Sequence, residues 1–536
     1  MKTINMIPDL ILYNGVIYTQ DPENAKVEAI AIGGGKILAV GDNQFIRSLG
    51  SKNTRYHDLE GRTGLPGMID SHFHYHEWAF MRHQVNLAEV SSFAECTALL
   101  EHTAEQKPKG DWILGQGFNE SDWPENKMPL KADLDQISTE HPIIIWRCDL
   151  HLAVANSLAL RIAGIGRDTP NPPEGVLERD SDGNLTGILR ELAINLVKVT
   201  ILPLMDDSIE QAMQEGMNVL NALGLTAIHD VRLMGGLEGA SALKTWQKLE
   251  KSANLTLRTW VSLPGENLDE VITLGLKSGF GNDKLRLGHV KFFADGGMGA
   301  RTAYMIDPYL DAEYGMHLTP VEELEKALCK ANQNELSVMI HSIGDRMNRE
   351  LIDIFTKHPS VNIEIPHRIE HLQMIRIEDI RRLAKLSTVV ACVQPHNLLL
   401  DINMIDHCMG KKGKYAYAFR DMLDEGVSVI FSSDCPVGDP SPLVGIHAAV
   451  TRQRSDGTPK EGWYPQQKVS VAEAVNAYTL APAIAAGAGD VLGSITPGKY
   501  ADLVVLDQDI YSIDPSDILN TEVQLTLFDG QIVHQI

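Results

Sequence analysis

The sequence predicts an α/β chain: a (β/α)8 TIM barrel, a small β-sandwich formed from both termini, and a large insertion after the first barrel strand. Three observations lead there. From about residue 205 onward, short apolar runs alternate with helical patterns, the mark of repeated βα units and a parallel sheet. With residues 67–72 placed in front, those runs number eight, the count that closes a barrel. Both ends of the chain are instead β-rich.

Each element follows in order. Residues 9–19 and 29–41 hold short β-rich runs broken by Asn14-Gly15 and Gly33-Gly34-Gly35, which predict hairpins. Residues 500–507 and 523–530 repeat the style at the other end. The sandwich is therefore expected from 1–62 and 486–536, around a barrel of 63–485. Barrel strands are expected at 67–72, 226–231, 256–263, 289–294, 336–341, 366–371, 388–394 and 427–434. Helices are expected at 208–223, 240–253, 345–355 and 377–386. Between the first two strands lie about 120 residues, roughly 85–205, with strand candidates at 112–115 and 142–147. A segment inserted there emerges on the catalytic face.

Composition excludes several classes. The charge is −24, from 47 basic and 71 acidic residues, so neither nucleic-acid phosphates nor an anionic membrane surface is an expected partner. No run of about 18 apolar residues predicts a membrane span. Residues 1–9 carry no apolar segment of a secretory signal. The six cysteines, Cys96, Cys148, Cys329, Cys392, Cys408 and Cys435, form no CxxC pair and read as reduced thiols. A cytoplasmic protein is expected, with the oligomeric state, a homo-oligomer included, left open.

The chemistry concentrates at strand ends. Gly64-Leu-Pro-Gly-Met-Ile-Asp-Ser-His-Phe-His-Tyr-His76 places His72 and His74 two apart, on one side of a strand, where two imidazoles can meet one ion. His76 continues the alternation, so spacing alone leaves the pair ambiguous. Lys291 falls near the end of the fourth expected strand, His341 ends the fifth, His371 the sixth and Asp434 the eighth. Each alone has a structural explanation: a carbonyl partner for His341, a helix cap for Asp434, a surface ion pair for Glu370-His371. Six metal-type residues in phase with the strand period point to one site at the barrel rim.

Pro66-Gly-Met-Ile-Asp-Ser-His-Phe-His74, His341, His371, Asp434 and the closing run Gly493-Ser-Ile-Thr-Pro-Gly-Lys-Tyr-Ala-Asp-Leu-Val-Val-Leu-Asp507 together resemble the metal-dependent amidohydrolase superfamily. Residues 149–157, Val290-Lys-Phe-Phe-Ala-Asp-Gly296, His341-Ser-Ile-Gly-Asp345 and Arg368-Ile-Glu-His371 resemble its amidohydrolase family 3 branch. The resemblance implies one or two divalent metal ions. His72, His74 and Asp434 would hold the first, and His341 and His371 the second. Lys291, as an N-carboxylated lysine, would bridge them, since a bare ammonium has no lone pair to offer. Zinc is the expected metal, with manganese, iron, cobalt and nickel as alternatives. The implied reaction is hydrolysis of a non-peptide C–N bond in a small-molecule amide-type substrate, by water acidified towards a pKa of ~7. Asp434 would be the catalytic proton carrier. His151 and His229 are expected to bind substrate.

Two other readings compete. One is hydrolytic deamination of a nucleobase-like ring, against which Gly344 stands where related deaminases carry a glutamate. The other is a non-catalytic metal-binding regulator, against which all six ligand types are retained. Arg147, Arg190, Arg232 and Arg301 could each recognise a substrate carboxylate, and nothing in the sequence selects one.

Overall fold

The computed structural model describes residues 7–360 and 364–536, with side chains undescribed at 202–207. Residues 1–6, part of the segment read for a secretory signal, lie outside the described residues. At its centre eight strands follow one another in chain order around a sheet: Met68–Phe73, Leu225–Asp230, Arg258–Pro264, Leu285–Phe293, Val338–Ser342, His367–His371, Val389–Val393 and Val429–Phe431. Every neighbouring pair is parallel. A parallel bridge from Phe73 to Cys435 brings the last strand's exit beside the first strand's end. This is the expected (β/α)8 barrel.

The strand sequences explain their burial. Val338–Ser342 and Val389–Val393 are buried at every position, as strands must be when helices cover one face and the barrel interior the other. Helices Gly239–Lys251 and Asp345–Lys357 turn Trp246 and Leu249, and Leu351, Ile352 and Phe355, onto the sheet. These side chains join the first strand's Met68 and Phe73 in one continuous core.

Strands from both termini build two further sheets, one of four strands and one of six. Here the structure departs from two expectations. Asn14-Gly15 makes no hairpin: Leu10–Tyr13 pairs within the four-stranded sheet, while Val16–Tyr18 crosses into the other. The second expected hairpin forms, Ala29–Gly33 against Lys36–Gly41, around Gly34 and Gly35 in left-handed backbone. Thr63–Pro66, expected at the start of the barrel, pairs instead with Leu503–Leu506 in the terminal sheet. The chain turns into the barrel at Gly67, where a Cβ would collide with Thr226. Arg258, at the start of the third barrel strand, bonds Asp502 at 2.6 and 3.1 Å and ties the terminal sheet to the barrel.

The insertion carries a six-stranded sheet of its own, running from Val85–Asn86 to Leu185–Glu191. Its turn at 149–151 sits against the loop after the fourth barrel strand. There a Cβ on Gly297 would strike His151, and one on Gly299 would strike Asp149 and Arg147. All six cysteines are free thiols, and Cys392 and Cys435 are buried as expected. Among the described residues no helix is long and apolar enough to cross a membrane.

Candidate metal centre

The barrel closes six of the expected site residues around one point. His72 Nε2 and His74 Nε2 each lie 3.3 Å from Asp434 Oδ1, and His371 Nδ1 lies 3.8 Å from Asp434 Oδ2. Ligand atoms of His72, His74 and Asp434 all fall within 4.8 Å of one another. The His371 ring stands 5.0 Å from His72 and 4.5 Å from His341, centre to centre. Lys291 reaches in from the fourth strand, its Nζ 4.6 Å over the Phe293 ring.

Three of the four histidines are oriented by a partner on Nδ1. Glu370 Oε2 takes His72 at 2.5 Å, the Val231 carbonyl takes His74 at 3.0 Å, and Gln394 Oε1 takes His371 at 3.0 Å. An acceptor at Nδ1 leaves Nε2 with its lone pair directed at the centre. The residues fit a metal by a second criterion. His72 Nε2, His341 Nε2, Asp434 Oδ1 and Lys291 Nζ are buried and make no hydrogen bond. A buried polar atom without a partner is costly, and four at one point mark a place for a cation and its ligands.

The electrostatics agree with that use. Burial holds His72 down at about 4 and His371 at about 3, so both are neutral, as ligation requires. Burial also lowers Lys291 to about 8. Burial would raise Asp434, but the positive charge that His371 and His72 carry once protonated outweighs it and holds the carboxyl below its usual range. His371 and Asp434 adopt left-handed backbone, φ +72° and +59°, a strain typical of functional positions.

The remaining expected residues divide. His151 lines the cavity over the metal centre, its ring 5.2 Å from His341, and its Nδ1 meets the buried Glu191 at 2.7 Å. Burial opposes its protonation, yet the Glu191 charge prevails and raises it to about 9. His229, expected to touch substrate, is not among the residues lining the cavity. Its Nδ1 accepts from Arg368 at 2.6 Å. The ambiguity at His76 also resolves: the strand ends at Phe73, and His76 lies in helix Tyr75–Met81 with Nε2 3.2 Å from Ser241 Oγ.

The four candidate arginines are all committed inside the protein. Arg147 pairs with Glu120 and Asp149, Arg190 with Glu178, Arg232 with Asp230 and Arg301 with Asp311. Glu370, expected at most in a surface ion pair with His371, is instead buried together with Arg368 behind the site. Arg368 grips Glu370 at 2.7 and 2.9 Å, and Glu370 in turn orients His72. Their alternation in Arg368-Ile-Glu-His371, on an expected strand, was the available signal.

The sequence model of the amidohydrolase family matches residues 55–534. The chain belongs to that family. This amidohydrolase is 31% identical to Protein LONG AFTER FAR-RED 3 of Arabidopsis thaliana, over 96% of the chain and 89% of that protein. It is 26% identical to N-substituted formamide deformylase of Arthrobacter pascens, over 98% of each. Among solved structures it resembles an uncharacterized metal-dependent hydrolase from Pyrococcus horikoshii. The TM-score is 0.75 at 26% identity, covering 94% of this chain and 99% of that one.

Proposed function

We propose that this amidohydrolase cleaves a non-peptide C–N bond of an amide-type small molecule, with His72, His74 and Asp434 holding one divalent metal and His341, His371 and a carboxylated Lys291 completing a second position. The observation that carries the reading is the convergence of unsatisfied His72 Nε2, Asp434 Oδ1, His341 Nε2 and Lys291 Nζ at the C-terminal rim. Zinc suits this donor set; manganese, iron, cobalt and nickel share its preferences. When bound, such an ion acidifies water and polarises a carbonyl.

The chain's residues do the rest. Asp434, ionised and with Oδ1 free of other donors, takes the proton released by attacking water and returns it to the leaving nitrogen. Glu370 on His72 and Gln394 on His371 hold those rings in place throughout. Lys291 is buried without a partner and lowered to about 8, so a usable fraction is neutral amine, the form that takes up CO2. Gly344 disfavours the deaminase alternative, because a side chain there would collide with the Tyr304 backbone.

The test is metal analysis with kinetics. Purified protein is expected to carry one to two equivalents of divalent metal. Asp434→Asn should lower kcat by about 10²–10⁴-fold on whichever amides the wild type accepts. Full activity in metal-free protein refutes the reading.

A further inference from the structure

The cavity above the candidate metal centre has two lobes that meet at His151, His341, His371 and Asp434. One is walled largely by Trp146, Leu150, Ile194, Met234 and Phe293, with the paired Glu77 and Lys198 also lining it. The other gathers Gln373, Gln394, Asn397, Asp401 and Tyr417, beside the apolar Ile343 and Leu400. An amide hydrolysed at the junction would place one substituent in each lobe.

Charge pairing separates the lobes further. Outside the metal centre, the acids lining the cavity have basic partners, with one exception. Glu77 meets Lys198 at 2.7 Å, Glu191 meets His151 at 2.7 Å and Asp149 meets Arg147 at 2.6 Å. Asp401 has no lysine, arginine or histidine within ion-pair distance among the described residues. Its Oδ2 accepts from Tyr417 Oη at 2.6 Å and Gln373 Nε2 at 2.7 Å, both neutral donors. Arg147 acts on it only through space, with its own donors spent on Glu120, Asp149, Asn119 and Ser121.

Asp401 Oδ1 is therefore left over, on a carboxylate whose orientation two bonds already fix. Burial raises its carboxyl to about 6, which still leaves it ionised at neutral pH. Asn397 lines the same lobe, 9% exposed, with its own Oδ1 unpaired. Surplus acceptors and an unpaired carboxylate disfavour an anionic substituent and suit a cation.

We propose that Asp401 receives a primary ammonium group of the substrate, so that the amide carries an amine-bearing arm in the polar lobe and an apolar arm in the other. This rests on the hydrolase reading above and names its substrate class.

The test compares metal-loaded wild type and Asp401→Asn, which keeps both anchoring bonds. Two matched pairs put the charge on either side of the scissile bond. One pair is N-(aminoethyl)phenylacetamide and N-propylphenylacetamide; the other is β-alanyl benzylamide and butyryl benzylamide. Binding of phenylbutylamine is measured separately by calorimetry.

The wild type should favour the ammonium member of one pair in kcat/KM by at least about tenfold, as a charged hydrogen bond supplies. Asp401→Asn should erase that ratio and weaken amine binding by a similar factor. Turnover without charge preference, or amine binding equal in the two proteins, overturns the inference and leaves the hydrolase reading standing. No turnover of any amide overturns the hydrolase reading instead, and amine binding then still decides whether Asp401 is a cation subsite.

Discussion

His72, His74 and Asp434 already converge within 4.8 Å, two of them rings held by outside partners, whereas Lys291 ends in a bare amine with nothing to bond. The proposed metal centre is thus built unevenly. In the first half, Glu370 and the Val231 carbonyl set the imidazoles before any ion arrives. In the second, His371 is set by Gln394, but Lys291 as an ammonium has no lone pair to offer a cation. Packing alone completes one half; the proposed second half depends on carboxylation of Lys291.

The sharpest break in that comparison is Lys291→Ala. It should cost the second equivalent of metal while the first remains, as metal analysis can show. Activity should fall by more than the ~10–100-fold typical of losing an outer-shell partner. A short carboxylic acid added to the variant should restore part of both, since it returns an anionic oxygen bridge. Retention of both metals would show that the halves do not differ in this way.

Glu370→Gln probes the preassembled half at smaller scale. The amide keeps the shape but presents a weaker acceptor to His72 Nδ1 and gives up the charge that Arg368 pairs with. Affinity for the first metal should fall about 10–100-fold in equilibrium dialysis, with the second position less affected. An equal loss at both positions would dissolve the distinction.

The smallest effect lies above the centre, at His151 and Glu191. His151 is raised to about 9 from an ordinary 6.5, so its pairing stabilises the fold fully below the ordinary value and is lost as pH rises through about 9. In metal-free protein, Glu191→Gln should show a stability deficit of no more than roughly 3 kcal/mol at pH 6, shrinking towards pH 10. Denaturant titration at the two pH values reads it directly. A deficit that grows with pH would reverse the assigned role of the pair.

The part of this protein legible in its sequence is the part that local period can express. Eight apolar runs separated by helical patterns carry the barrel, because parallel strands buried on both faces need no information beyond their own composition. The metal-type residues were legible for the same reason: each stands at or near the end of a run whose period sets where it points. The tertiary structure decided everything that depends on two distant segments meeting. Glu370 lies 298 residues from His72 and touches it only because the barrel brings the sixth strand's inner face across to the first. His229 fell to Arg368 rather than to the cavity by the same closure. Asn14-Gly15 has a hairpin's local chemistry, yet its flanking strands found better partners in two different sheets. Asp401 is conspicuous only once its neighbours are known to be paired and it is not. Local sequence sets direction along a strand; which side chain waits there is a property of the closed fold.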